Sequence, residues 1–249
     1  MSLRKMMNIE LQANERLDDL VKSGRKIIQN EAEFCFSLDA VLLAHFPNYK
    51  KSFRVLDLGT GTGVMPLLIA DEVREIQAVE INPVMAELAA RNMRLNGLEE
   101  KITVRRGDYR EIRELYAPES FDLVLVNPPY RPVNHGQQNA LHGVARARHE
   151  VTATLADVVW AARYALKFRG RLAMVHLPER LGEILVALHE NQLEAKRVCF
   201  VQPKPDRDPN MVLIEAVVGA APGGLKVSRP LIVHAADGSY TEEVLKYYE

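Results

Sequence analysis

Arg54-Val55-Leu56-Asp57-Leu58-Gly59-Thr60-Gly61-Thr62-Gly63 reads as a short apolar strand breaking into a glycine loop, and a helical pattern follows from Val64 to Val73. Glycines at a strand-to-helix turn let a ligand approach the backbone and the helix N-terminus, which is where nucleotide cofactors sit. Spacing separates the candidates. A dinucleotide fingerprint needs glycine at the first, third and sixth positions, and the sixth counted from Gly59 is Val64, which weakens an NAD-dependent oxidoreductase. A phosphate-cradling loop needs Gly-Lys-Ser/Thr, and none follows. What remains is Asp-x-Gly-x-Gly-x-Gly from Asp57 to Gly63.

Outward from this unit the chain alternates. Ile76 to Ile81 reads as a strand and Pro83 to Leu98 as a helix, with Asn82 as N-cap, Pro83 in the first turn and Gly97 near the end. Strands are expected at 102–106, 121–126 and 171–177, and helices at 155–168 and 181–190. Two further strands, 193–201 and 211–219, have no helix between them, which predicts an antiparallel hairpin at the sheet edge. The expected fold is α/β: a seven-stranded, mostly parallel sheet with helices on both faces. Before residue 54 the texture differs. Glu10 to Leu20 reads as a helix, Lys26–Gln29 and Glu33–Phe36 as a hairpin, and Ser37-Leu38-Asp39 as the cap of a helix from Ala40 to His45. Residues 1–50 are therefore expected to be an extension packing on a core domain of residues 51–249.

With 249 residues the chain can bury a sizeable core, and its 47% apolar and 26% charged content is that of ordinary soluble globular proteins. No apolar run approaches the ~20 residues of a membrane span. Met1-Ser2-Leu3-Arg4-Lys5 leads into polar sequence instead of a signal core, so the default location is cytoplasmic. Cys35 and Cys199 each lie in an apolar segment and read as buried thiols; no metal site is expected. A formal net charge of −1 argues against a protein that coats nucleic acid through a global basic field. A local field remains. From Leu123 to His149 there is no Asp or Glu, yet Arg131, His135, His142, Arg146, Arg148 and His149 fall there, as in a phosphate-gripping loop or a solvated loop that lacks acids.

The 121–126 strand runs straight into Asn127-Pro128-Pro129-Tyr130. Two consecutive prolines stiffen the chain and supply no N–H, so the segment presents carbonyls without competing donors. Asn127 Oδ1 and the Pro128 carbonyl could each accept one hydrogen of a planar –NH₂, while the Tyr130 ring offers a face for a flat base. The plainer reading is a strand ended by prolines, since Asn-Pro is an ordinary turn signal.

The Asp57–Gly63 stretch resembles the first motif of the Rossmann-like S-adenosylmethionine-dependent methyltransferases, whose cofactor has no phosphate to cradle. Glu80 stands 21 positions after Gly59, where a carboxylate accepts from both ribose hydroxyls. Gly107-Asp108-Tyr109, closing the third strand, would offer a carboxylate to the adenine amine in the same crevice. Asp57 reads as a turn or cap group, or as an electrostatic partner of the methionine ammonium and sulfonium. The candidate cofactor-binding residues are Asp57, Gly59, Thr60, Gly61, Gly63, Glu80, Ile81, Asp108, Tyr109 and Asn127.

Glycine motif, Glu80 and Asn127–Tyr130 in that order resemble an amino-methyltransferase. With Phe36-Ser37-Leu38-Asp39-Ala40-Val41-Leu42-Leu43, Ala147-Arg148-His149-Glu150 and Pro230-Leu231-Ile232-Val233-His234, nearly the whole chain resembles the bacterial tRNA adenine-N6 methyltransferase family that modifies adenosine 37 of a valine tRNA. The resemblance implies a class I methyltransferase fold, S-adenosylmethionine as cofactor, and transfer to the N6 amine of an adenine in tRNA. It makes Asn127, Pro128, Pro129 and Tyr130 the catalytic segment. RNA contacts would fall on Arg131, Arg146, Arg148 and His149, with help from Arg4, Lys5, Arg25, Lys26, Lys204 and Arg207. Guanine-N2 and glutamine-amide methyltransferases share versions of the motif. Tyr130 resembles the adenine and glutamine branches, and the roughly fifty residues before the core look short for the helical domain of glutamine enzymes. The alternative of a different class is a non-catalytic nucleic-acid-binding module, against which intact Asn127, Glu80 and the motif glycines argue. Neither a membrane nor an obligate protein partner is expected.

Overall fold

The structure, a computed structural model, describes residues 10–20, 24–33, 35–130 and 153–248. Near its start β1 (Glu15–Leu20) and β2 (Arg25–Asn30) pair antiparallel with each other, apart from the main sheet. That sheet holds β3 (Arg54–Leu58), β4 (Glu75–Glu80), β5 (Ile102–Arg106), β6 (Phe121–Val126), β7 (Leu166–His176), β8 (Leu193–Gln202) and β9 (Met211–Val218). Two-residue strands β10 (Lys226–Val227) and β11 (Leu231–Ile232) lie along β8, giving the order β10-β8-β9-β7-β6-β3-β4-β5. The seven expected strands are present, and the sheet is nine-stranded because the C-terminal segment covers the otherwise open β8 edge. Among the described strands of this sheet β9 alone runs against its neighbours. The carboxyl ends of β3, β4, β5, β6, β7 and β8 therefore share one edge.

Strands that are apolar at every position must be covered on both faces. On β6, Leu123 and Leu125 enter a core closed by α1 (Leu38–His45) and α2 (Val64–Ile69). After α3 (Pro83–Leu95) and the short α4 (Ile112–Leu115), α5 (Leu155–Ala165) and α6 (Leu181–Glu190) close the opposite core, which takes Val124 and Val126. A last turn, α7 (Glu242–Leu245), sets Val244 into the first core.

Several helices end earlier than their sequence pattern suggests, each for a local reason. α3 starts as expected, with Asn82 Oδ1 accepting from Val84 N–H at 2.9 Å, but stops at Leu95. There Gly97, at φ 64°, lets its N–H reach Arg94 O at 3.1 Å and Leu98 N–H reach Met93 O at 2.9 Å, a Schellman turn. α2 gives way to a 3₁₀ turn at Ala70–Glu72. α5 ends at Ala165 because Leu166 turns extended and joins β7, with Arg169 at φ 64° in the irregular stretch that follows. Ser37 occupies the N-cap of α1 without capping it; its hydroxyl donates to Asp39 instead.

The largest departure is at the start of the chain, where 15–20 is a strand and pairs with 25–30, not 26–29 with 33–36. Asn92 on α3 and Asn96, just past its end, supply the reason. Asn92 Oδ1 accepts from Ile28 N–H at 2.7 Å and its Nδ2 donates to Ile28 O at 3.0 Å; Asn96 does the same for Lys26, at 3.0 and 2.7 Å. The free edge of β2 is thus satisfied by side chains as a neighbouring strand would satisfy it. Arg91 adds a bidentate pair to Glu15 at 2.6 and 2.9 Å. Burial would raise the Glu15 carboxyl, but Arg91 and the Gln12 N–H outweigh it and hold it low. A solitary helix over 10–20 has none of these partners.

Candidate active site

The loop after β3 is tied to the end of β4. Gly59 and Thr60 N–H donate to Val79 O at 2.9 and 3.0 Å, and Gly61 N–H donates to Glu80 Oε2 at 2.9 Å. Glu80 Oε1 accepts from Asn82 N–H at 2.9 Å, so one carboxylate braces the loop on one side and opens α3 on the other. Burial raises the Glu80 carboxyl, against the lowering by the N–H groups of Asn82, Gly61 and Ile81. Gly63 sits at φ 82°, and a Cβ there would lie 2.5 Å from Met93 Cε. A side chain there would displace the Met93 terminal methyl and hold a strained positive φ. Gly59, by contrast, faces open space, with nothing within 4 Å of a Cβ position.

Beneath the loop Asp57 is fully buried, and neither carboxylate oxygen has a hydrogen-bond partner among the described residues. The buried hydroxyls of Thr60 and Thr62 also lack partners. Burial pushes the Asp57 carboxyl up to about 7, with Glu80 adding to the rise; the Thr60 hydroxyl is near enough to moderate it without completing a bond. Asp57 is therefore neither a turn cap nor a surface contact.

Asp108 stands at the end of β5 on the same edge, but it is occupied. Arg110 Nε lies 3.0 and 2.9 Å from its two oxygens, Arg110 Nη2 also contacts Oδ2, and Arg110 N–H donates to Oδ1 at 2.9 Å. This ion pair holds the carboxyl below its usual range and caps a short 3₁₀ turn. Tyr109 beside it is half-buried, with burial pushing its hydroxyl up to about 12. Ile81, 38% exposed, leaves an apolar surface next to Glu80.

At the end of β6, Asn127 and Tyr130 are half-buried, Pro128 is buried and Pro129 is exposed, with trans peptide bonds. The Tyr130 hydroxyl lies 3.0 Å from Asn127 Oδ1 and 2.6 Å from Asp39 Oδ2, on the first turn of α1. Burial and Asp39 together push the Tyr130 hydroxyl far up, so it keeps its proton. The Tyr130 ring rests against His176, centroid to centroid 5.4 Å, at the carboxyl end of β7. Burial and Arg180 push His176 down to about 4, so it is neutral at physiological pH.

Asp39 and His176 are the residues at this edge that the sequence reading did not assign. Asp39 stands in the sequence as part of a helix cap and of the Phe36–Leu43 stretch, with no role of its own. His176 had a signal, a polar residue closing the apolar run Leu172-Ala173-Met174-Val175 at a strand's carboxyl end. Arg131, Arg146, Arg148 and His149, like Arg4 and Lys5, lie outside the described residues. Arg25 and Lys26 belong to the fold: Arg25 bonds Leu67 O and Asp71, and Lys26 pairs with Asp19 at 3.1 Å.

The family model of the methyltransferase small domain matches residues 37–183. The chain belongs to this methyltransferase family. A Porphyromonas gingivalis protein named tRNA1(Val) (adenine(37)-N6)-methyltransferase is 30% identical to the methyltransferase over 207 residues, 78% of this chain and 77% of its own. Proteins of the same name are 35% identical in Tolumonas auensis, over 76% of this chain and 78% of theirs, and 28% identical in Haemophilus influenzae, over 88% and 92%. A crystal structure from Agrobacterium tumefaciens, described as a predicted O-methyltransferase, matches with a TM-score of 0.68 at 23% identity, over 84% of this chain and 95% of its own. That likeness carries the fold, a class I methyltransferase sheet.

The residues present fit S-adenosylmethionine, the cofactor that the resemblance of the Asp57–Gly63 motif implies. The open face of Gly59 admits a ligand to the backbone, and no lysine stands in the loop for a phosphate. The unpaired Asp57 carboxylate beneath the loop favours a cation. Each Glu80 oxygen accepts one N–H and has a lone pair left for a ribose hydroxyl.

Proposed function

We propose that the enzyme methylates the exocyclic N6 amine of an adenine in tRNA, in the cytoplasm, with the reacting amine held at Asn127 and Pro128. The observation that supports this reading is the place of Asn127-Pro128 directly after β6, on the sheet edge that also bears the glycine loop and Glu80. The names of the relatives support adenine in tRNA over guanine or glutamine.

An adenine N6 lone pair is delocalised into the ring and is a poor nucleophile. Accepting its two hydrogens on Asn127 Oδ1 and the Pro128 carbonyl holds the amine with the lone pair directed out of the ring plane. As nitrogen bonds to carbon it gains positive charge, which both acceptors stabilise. Asparagine accepts without forming an ion pair to a cationic cofactor. The cofactor, when bound, supplies an electrophilic methyl group on sulfonium. After transfer the nitrogen is strongly acidic and its extra proton leaves to water, so His176, held neutral by burial, is not required as a base. Tyr130 replaces part of the stacking that an unpaired base loses.

For the cofactor we assign Glu80 to the ribose, Ile81 and Tyr109 to the adenine ring, Gly59, Thr60, Gly61 and Gly63 to the loop around the methionine part, and Asp57 to its positive charge. Asp108 takes three hydrogens from Arg110 and keeps one acceptor site for the adenine amine. Arg131, Arg146, Arg148 and His149 would face RNA, joined by Lys204 and Arg207 at an open cleft of about 530 Å³ beyond the end of β8. The test is methylation of total tRNA by the purified enzyme with labelled cofactor, followed by nucleoside analysis. Label in N6-methyladenosine is expected. Label in N2-methylguanosine, or only in protein, overturns the reading.

A further inference from the structure

Tyr130 has one hydroxyl proton and two acceptors within reach, Asp39 Oδ2 at 2.6 Å and the Asn127 amide at 3.0 Å. One proton serves one of them. The shorter contact is to a carboxylate, and a bond to a charged acceptor is about twice as strong as a neutral one. Asp39 is itself fixed: 8% exposed, its Oδ1 accepts from the Ser37 hydroxyl at 2.5 Å and from Ala40 N–H at 2.8 Å. The Tyr130 proton is thereby committed to Asp39, and its oxygen presents only lone pairs to Asn127. An amide oxygen at that distance would be repelled, whereas an amide N–H donates. The two ends of an asparagine amide exchange by a half-turn, so the favoured arrangement turns Nδ2 to Tyr130.

We propose that Asp39 is a positioning residue for methyl transfer: acting through the Tyr130 hydroxyl, it sets the Asn127 amide with Nδ2 toward Tyr130 and Oδ1 free to accept the target amine. This rests on the reading of Asn127 as the amine acceptor. Without the Asp39 carboxylate the Tyr130 proton turns to Asn127 Oδ1 and competes with the substrate for it. The His176 ring packs against the Tyr130 ring, with centroids 5.4 Å apart. The N-terminal part of the chain thus reaches the chemistry at the end of β6, 91 positions away from Asp39 in sequence.

Two readouts on the full-length enzyme test this. In the ¹⁵N-labelled protein without substrate, one Asn127 side-chain amide proton is expected to be protected from exchange, and both Asp39→Asn and Tyr130→Phe remove the protection. In single-turnover transfer to tRNA, each variant is expected to be slower by roughly tenfold or more. The double variant is no slower than the slower single, because both act through one bond. Cofactor affinity and thermal midpoint stay near wild type, which separates positioning from folding. An unprotected wild-type amide, an Asp39→Asn rate equal to wild type, or effects that multiply in the double variant each overturn the proposal. A wild-type enzyme inactive on tRNA adenine contradicts the substrate reading alone, and amide protection then decides the role of Asp39.

Discussion

Two aspartates are buried in the layers that meet at the carboxyl edge, and their surroundings divide their roles. Asp39 has donors from Ser37, Ala40 and Tyr130, whereas Asp57 has none among the described residues. The Asp57 carboxyl, ordinarily titrating at 3.8, is pushed by burial to about 7. Between those values the folded chain holds a proton that the unfolded chain has released. Its contribution to stability is thus full below the lower value and lost as pH rises through the upper one. Binding of a cation follows the opposite sign. S-adenosylmethionine affinity should rise with pH up to about 7 and then level off, with proton release on binding, and Asp57→Asn should flatten the profile. Calorimetric titration in buffers of different ionisation enthalpy measures this; an affinity of the wild type that ignores pH contradicts it. From sequence Asp57 could be placed at a strand end. Its isolation could not, because that depends on which donors the fold leaves out.

At the scale of elements, strands and helices whose burial is dictated by their own periodicity were legible, and those defined by a remote partner were not. β3, β6 and α3 carry their apolar patterns and caps within a few residues. The pairing of β1 with β2 depends on Asn92 and Asn96, more than sixty residues later, whose side chains finish the β2 edge. Asn92 is fully buried and also donates to Thr62 O at 2.9 Å, so it joins hairpin, α3 and glycine loop. Asn92→Ala leaves the Ile28 N–H and two carbonyls unpaired and should cost about 2–4 kcal/mol in urea unfolding. Asn96→Ala, at a half-buried position, should cost less. A loss below about 0.5 kcal/mol at position 92 would contradict this account of the hairpin.

Across the whole molecule, the parallel strands bring Glu80, Asn127 and His176 to one edge although they are far apart in sequence. The order of motifs made this edge readable from the start; the entry of Asp39 into it was not, since α1 packs from outside the alternating core. With a net charge of −1 the enzyme has no global basic field, so tRNA affinity should depend on a few local cations. Three phosphate contacts by Arg131, Arg146 and Arg148 give a slope of log affinity against log salt of about −2 to −3, measurable by fluorescence anisotropy. A slope near −8 would require a broad basic surface that the composition does not provide. The central claim is that Asn127 accepts the reacting amine, and single-turnover formation of N6-methyladenosine by Asn127→Ala at saturating cofactor tests it most directly. The expected result is S-adenosylmethionine affinity within a few-fold of wild type and transfer slowed by at least about 10²-fold; transfer at a rate close to wild type would contradict it.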